Sequence, residues 1–226
     1  MEEQARPDSS VMGGLPPPRK MDKLFRSDDE WEMNACVNYG KGRWLYSNGY
    51  LTGAQSLALQ AVESRRDQDG LIYPIVYLYR HHCELTLKGI IFLASQLLDK
   101  PLEKAQQEAL DRHGLLPLWR HLRPMLNPVC DEVGNAHFPQ EDLDGIESYI
   151  EQIHTYDPDG QRFRYAIARG KGRKREQSLP QSLHIINIRV FADAMERLSD
   201  YLGSIESWFG QLLDTKWEME GEYGNG

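Results

Sequence analysis

One segment of the sequence, residues 74–98, is apolar along two sides of a helix. Its first stripe consists of Ile75, Leu78, His82, Leu85, Gly89 and Phe92, and its second of Val76, Tyr79, Cys83, Leu87, Ile90 and Ala94. A helix with apolar residues on two sides must be covered on both of them, as in the centre of a helical bundle. Pro74 suits the first turn of such a helix. The segment therefore predicts a central helix surrounded by other helices.

The rest of the chain has helical rather than alternating periodicity, so we predict an all-α bundle of five or more helices. The apolar spacing predicts helices over 49–66, from Pro101 to near Gly114, from Leu115 to Pro124 or Pro128, over 140–155 and over 183–212. Because proline removes a backbone donor, it ends a helix. Pro124 or Pro128 therefore sets the expected end of the helix that begins at Leu115.

The closing helix carries a long heptad stripe. The stripe consists of Ile188, Phe191, Met195, Leu198, Leu202, Ile205, Phe209 and Leu212. Apolar residues at alternating steps of three and four suit antiparallel packing inside a bundle or the seam of a homodimer. The sequence leaves both alternatives open, with the core face as the favoured one.

Composition narrows the class of protein. The 226 residues carry a net charge of −8, with 34 acidic and 26 basic residues, which argues against a general nucleic-acid coat protein but not against a local basic site. No apolar run is long enough to span a membrane, and the start lacks the apolar centre of a signal peptide. Cys36, Cys83 and Cys130 form no CxxC pair. We expect a cytoplasmic protein with no cofactor and no metal.

Three segments are expected along the chain. Residues 1–20 are rich in Pro, Ser and Gly and predict a disordered leader, and residues 21–213 predict the helical bundle domain. Residues 214–226 are acidic and rich in Gly and predict a flexible tail.

Polar residues on the central helix form the first candidate site. Arg80, Glu84 and Lys88 are spaced four apart and share one face, and His81 lies on the same general side. From the residues alone, His113 either caps a helix end or faces the central helix. Arg80, His81, Glu84 and His113 are the catalytic candidates. His82 belongs to an apolar stripe and is predicted to be a hydrogen-bonded core histidine.

The second candidate site is a basic segment. Between residues 162 and 175 there are seven basic residues and no acid, namely Arg162, Arg164, Arg169, Lys171, Arg173, Lys174 and Arg175. Phe163 and Tyr165 lie among them, and glycines after Arg169 predict a mobile loop. Clustered arginines beside aromatic rings favour phosphate or nucleic acid. The alternative is a loop that neutralises the acidic helix near 141–151.

The motifs together resemble the HEPN-domain proteins. Residues 79–88 read Tyr-Arg-His-His-Cys-Glu-Leu-Thr-Leu-Lys, and a His-Gly-Leu-Leu-Pro-Leu segment follows at His113. A Phe-Arg-Tyr segment at Phe163 precedes the long final helix. The resemblance covers about residues 45–212. It implies a helical bundle, commonly a homodimer, and a role in bacterial toxin–antitoxin, abortive-infection or other defence loci. It also implies that the face of Arg80, Glu84 and Lys88 lines a groove, with His113 and Arg164 facing it and Tyr165 nearby.

Two positions depart from the pattern of this family, and its nuclease motif is missing. Gly114 replaces a frequent Asp, and Ala166 replaces a frequent Pro. Catalytic HEPN members carry Arg, four to six residues and then His, and none of the seven histidines here has an Arg at that distance. Adjacent pairs such as Arg80 and His81 point about 100° apart on a helix, so they could meet one phosphate only across a dimer.

These observations predict a HEPN-like protein of a bacterial defence or toxin–antitoxin system. We expect it to bind RNA, DNA, another phosphate-bearing ligand or a protein encoded by a neighbouring gene through the polar groove and the basic loop. Two alternatives are a metal-independent ribonuclease toxin with a rearranged dimeric Arg/His site and a structural dimerisation module.

Overall fold

The computed structural model describes residues 18–27, 29–37, 43–169 and 175–223, and the chain divides into two compact units, Met1–Lys41 and Gly42–Gly226. The first unit carries a 3₁₀ helix at Trp31–Met33, and the side chains of Met21, Phe25 and Trp31 are exposed. The described residues between 21 and 37 thus belong to this unit, whereas the first helix of the bundle begins at Arg43. Most of the predicted leader lies outside the described residues.

The second unit is the predicted all-α bundle. Its helices are α1 Arg43–Ser64, α2 Gln68–Leu97, α3 Lys104–Leu110, α4 Leu115–Glu132, α5 Gln140–Tyr156 and α6 Ile188–Tyr223. The central-helix prediction is confirmed, because α2 packs against α1, α4 and α6. Both of its predicted stripes contribute buried residues, including Ile75, Cys83, Leu87 and Ile90. No helix among the described residues is long and apolar enough to cross a membrane.

Prolines end the helices less often than the sequence predicts. Helix α2 begins at Gln68, six residues before Pro74. The missing N–H of Pro74 leaves only the carbonyl of Gly70 without its helical partner, so the helix tolerates it. Helix α4 continues through both Pro124 and Pro128 to Glu132. Its buried face, which includes Trp119, Leu122, Leu126 and Val129, packs into the core, and this packing outweighs the cost of the two prolines.

Helix α6 differs from the prediction at both ends. It begins at Ile188 because the Asn187 side chain caps it, accepting the backbone N–H of Val190 at 3.1 Å. It continues through Tyr223, past the predicted start of the flexible tail at 214. The Lys216 ammonium there forms an ion pair of 2.7 Å with Asp99 and donates to the carbonyl of Gln96 at 3.1 Å. These contacts fasten the last turns of α6 to the end of α2.

The heptad stripe of α6 is part of the core of the bundle. Met195, Leu198, Leu202, Ile205 and Phe209 are all buried against other helices of the same chain. A stripe that is covered in this way is not free to form a dimer seam. A homodimer would have to use another surface.

A two-stranded antiparallel ribbon interrupts the helices, where the sequence predicts a mobile loop. Strand β1, Ile167–Arg169, pairs with β2, Arg175–Gln177, and the register aligns Arg169 with Arg175. The strands are too short for an alternating pattern to show in the sequence. Lys171, Arg173 and Lys174 lie outside the described residues.

Candidate functional site

The polar face of α2 is organised around the carboxylate of Glu84. Lys88 donates to Glu84 Oε1 at 2.9 Å, and Arg80 Nη1 lies 3.2 Å from Oε2. The side chains of both Arg80 and Glu84 are buried, whereas that of Lys88 is 20% exposed. The spacing of four residues brings these groups together, as the sequence predicts.

Two histidines complete the surroundings of Glu84. His113, which directly precedes the first turn of α4, places Nδ1 2.9 Å from Glu84 Oε1, and His81 Nδ1 lies 3.9 Å from Oε2. Burial by itself would raise the pKa of Glu84, but the interactions with His81, Lys88 and His113 outweigh this effect and hold the pKa well below its usual range. Glu84 is therefore an anion that orders the groups around it. We call Arg80, His81, Glu84, Lys88 and His113 the polar cluster.

Arg80 lies inside the bundle and does not line a groove. Its guanidinium donates to the carbonyl of His113, and its Nε lies 3.3 Å from the Asp157 carboxylate. With 2% of its surface exposed, Arg80 cannot contact a substrate. The prediction that Arg80 is a catalytic or groove residue is therefore wrong. Arg80 has a structural role, because it joins α2 to the loops before α4 and after α5.

Gly160 makes room for the Arg80 guanidinium. Its φ is +76°, and a Cβ at this position would lie 2.6 Å from Arg80 Nη1. Any other residue would combine a strained backbone with a steric clash. In the sequence, Asp157-Pro-Asp159-Gly160 is typical of a turn, and nothing in it shows that Asp157 is buried beside an arginine.

The exposed side of the polar cluster carries aromatic rings and a further cation. Tyr77 stacks on His81 with ring centroids 5.7 Å apart, and Tyr50 of α1 meets the same histidine edge-on at 4.4 Å. The Arg164 guanidinium lies 5.3 Å from the centre of the Tyr77 ring and equally close to that of Tyr165. Arg164 and Tyr165 thus lie close to the Tyr77 ring.

The other described residues of the basic segment are spread out. The backbone N–H of Arg162 donates to the Asp157 carboxylate at 3.0 Å, which anchors the segment beside the polar cluster. Phe163 is buried next to Tyr73, with the rings 6.5 Å apart, so it is not free to stack on a base. Arg169 and Arg175 lie on the ribbon.

His82 has the core role that the sequence predicts. Its Nδ1 lies 2.9 Å from the Ser47 hydroxyl and 3.1 Å from the Ser47 carbonyl, and Ser47 also bonds Thr86 at 2.8 Å. Burial lowers the pKa of His82, and this effect exceeds the opposing influence of the Ser47 carbonyl and of Glu196. The folded protein therefore holds His82 neutral.

This lowered pKa predicts a loss of stability in mild acid. Below about pH 6.5 the unfolded chain protonates His82 while the folded chain does not, so the free energy of unfolding falls with decreasing pH until the lowered folded pKa is reached. In this pH range we expect the free energy of unfolding of the wild type to fall by up to about 1.4 kcal/mol per pH unit more than that of His82→Gln.

Urea unfolding at about pH 7.5 and about pH 5.5 measures this difference between the two proteins. His184→Gln, at an exposed histidine, should behave like the wild type. An identical pH dependence in His82→Gln would contradict the assignment.

Among the residues that the structure describes, no three or more His, Cys, Asp or Glu side chains are grouped as metal ligands. Comparison of the chain with protein-family models, with curated proteins and with solved structures found no significant match.

Proposed function

We propose that this protein binds the phosphate groups of RNA at the exposed side of the polar cluster. The observation that carries the proposal is the set of donors there. His81, Lys88 and His113 surround the buried Glu84 carboxylate, and Arg164 lies over the Tyr77 ring that stacks on His81. The His113 side chain is 57% exposed, and the Lys88 side chain is 20% exposed. Nitrogen donors of this kind are the usual partners of phosphate oxygens.

The balance of charge at this surface supports an anionic ligand. The buried carboxylates of Glu84 and Asp157 are matched by Arg80 and Lys88, so Arg164 is a positive charge in excess. Its guanidinium lies over the Tyr77 and Tyr165 rings, and no acid in the described part of the chain forms an ion pair with it. Because the whole chain carries −8, binding of a polyanion must depend on such a local surface.

The aromatic rings favour a single-stranded nucleic acid over a free phosphate. Tyr165 is half-exposed, and Tyr77 and Tyr50 flank His81 on the same side. A base can stack on such rings whatever its identity, which contributes about 1–3 kcal/mol per base. The ribbon, with Arg169 and Arg175 at paired positions, would extend the contact along the backbone.

Binding should depend on Arg164 and weaken steeply with salt. We expect Arg164→Gln to reduce the affinity for a single-stranded RNA and to lower the slope of log affinity against log salt by about 0.7, the loss of one phosphate contact. Changing Lys171, Arg173, Lys174 and Arg175 together to Ser should lower both the affinity and the salt slope further. Fluorescence anisotropy at about 50 mM and about 200 mM salt, with RNA and with DNA, measures both effects.

Lys104→Gln is the matched control, because Lys104 is a 91% exposed cation on α3. It should bind RNA like the wild type. Binding of the wild type that is insensitive to salt, or equal binding by all variants, would overturn the proposal. If the protein binds DNA more tightly than RNA, the binding surface stands but its ligand is DNA.

A metal-independent ribonuclease is the second candidate, and one contact favours it. His113 Nδ1 faces the Glu84 carboxylate at 2.9 Å, and a carboxylate in this position holds the proton on Nδ1 and leaves Nε2 as a base. His81 beside the same carboxylate could supply the acid. The dimeric form of this idea, with Arg80 at the phosphate, is not retained because Arg80 is enclosed.

Incubation of RNA with the protein and a chelator tests this candidate. We expect His113→Ala and His81→Ala each to slow cleavage about 10²–10⁴-fold. His137→Ala is a control, because His137 is half-exposed and pairs with Asp131 at 2.6 Å on another part of the surface. If the wild type leaves RNA intact, or if His113→Ala cleaves as fast, the ribonuclease candidate fails while RNA binding remains separately testable.

The biological context follows from the resemblance to HEPN-domain proteins. We place the protein in a bacterial defence or toxin–antitoxin system, in the cytoplasm, as a homodimer or with a partner from a neighbouring gene. The neighbouring genes test the context: a nucleotidyltransferase favours a toxin–antitoxin pair, and a large ATPase or nuclease favours a defence complex. Light scattering of the purified chain measures the oligomeric state and tests the alternative of a dimerisation module.

A further inference from the structure

A second surface feature lies at the first turns of α2, before the residues of the polar cluster. A cavity of about 1010 Å³ is bounded by the α1–α2 turn, the first turns of α2 and the segment that leads into α6. Its floor is apolar and is formed by Val62, Ile72, Phe163 and Ile188, of which Phe163 and Ile188 are buried. The cavity has the size of a site for a small organic ligand.

The rim of this cavity carries unpaired positive charge. Arg65 and Arg189 line it together with His184, and among the described residues Asp69 is the only acid in its lining. Within the part of the chain that the structure describes, neither arginine side chain forms a hydrogen bond or an ion pair. Two guanidinium groups above an apolar floor suit a ligand with an anionic head and an apolar body.

The two arginines lie at helix ends of opposite polarity, Arg65 just after the end of α1 and Arg189 at the start of α6. Arg65 has a φ of +54°, which is uncommon for a residue other than glycine or asparagine. Arg189 lies in the first turn of α6, where the helix dipole disfavours a cation and where no acid is present. The end of α1 therefore accounts for Arg65, whereas the cost of the cation at Arg189 would be offset by a bound anion.

Apolar side chains beside the rim are exposed. Ile185 is 88% exposed and Val190 is 65% exposed, and both line the cavity. Tyr73 is also partly exposed at its edge. An apolar body seated on the floor would shield these groups from water, which is the favourable part of such binding.

We propose that this cavity binds an amphipathic anion, with the head group held by Arg65 and Arg189 and an acyl or alkyl chain on the apolar floor. A carboxylate and a phosphate monoester share the required chemistry. The site shares none of its lining residues with the polar cluster, so it stands independently of the proposed RNA binding.

The test is isothermal titration of the full chain with decanoate, decyl phosphate, decanol and inorganic phosphate. We expect decanoate or decyl phosphate to bind at one equivalent and the two other compounds to bind at least about tenfold more weakly. The better of the two anions identifies the head group. The double variant Arg65→Asn, Arg189→Gln should bind at least about tenfold more weakly than the wild type. Asparagine is chosen because it tolerates the left-handed backbone of residue 65.

Arg66→Gln is the matched control, because Arg66 is an exposed neighbour that does not line the cavity. It should bind like the wild type, and circular dichroism should show the same helical content in all variants. If neither anion binds, if decanol binds as tightly as decanoate, or if the double variant retains full affinity, the proposal is wrong. Since these probes contain no nucleotide, such a failure leaves the RNA proposal unaffected.

Discussion

Substitution of Arg80 by Met should lower the free energy of unfolding by about 3–5 kcal/mol, the usual result of removing one partner from a buried ion pair. Arg80 is 2% exposed and pairs with both Glu84 and Asp157. Methionine keeps the apolar stem but leaves the Asp157 carboxylate buried without its cation, and the carbonyl of His113 loses its donor. Urea unfolding followed by circular dichroism measures the change.

Arg123→Met is the matched control. Arg123 also pairs with two acids, Asp144 and Glu147, but it lies at the surface and is 26% exposed. Solvent screens such pairs, so we expect a loss of about 1 kcal/mol or less. If the two variants lose the same stability, or if Arg80→Met loses less than the control, the structural role assigned to Arg80 is wrong.

Leu198→Ala should cost about 2–5 kcal/mol, because it removes a buried side chain and leaves a cavity in the core. Leu198 is 2% exposed and lies in the middle of the α6 stripe, which packs against α2. A loss of this size is enough to destabilise a domain of ordinary stability strongly. Thermal and urea unfolding both report it.

Leu59→Ala, on the outer side of α1, makes the same chemical change at a position that is 58% exposed. It should change the free energy of unfolding by no more than about 0.5 kcal/mol. Equal losses in the two variants would mean that the α6 stripe is not part of the core.

The polar cluster could be assembled in part from the sequence. Arg80, Glu84 and Lys88 meet because helical spacing alone places residues four apart on one face. His113 could be assigned to the same face only through the resemblance to HEPN-domain proteins, and its contact with Glu84 agrees with that expectation. Burial could not be predicted, and burial makes Arg80 a structural residue while His113 remains accessible.

The unpredicted parts of the site depend on long-range contacts. Asp157 reaches Arg80 only because α5 ends beside α2, and Gly160 matters only because the guanidinium occupies the space beside it. The cavity at the α1–α2 turn likewise joins residues that are more than a hundred positions apart in the chain. No periodicity or local motif connects such residues.

The sequence by itself determined the all-α class, the central position of α2 and the buried face of α6, because apolar periodicity is a local property that every helix must satisfy. The tertiary structure alone decided where the helices end, since packing let α4 continue through two prolines and Lys216 extended α6 through the predicted tail. It also decided which charged residues are enclosed and which face solvent, because burial depends on neighbours that the fold supplies.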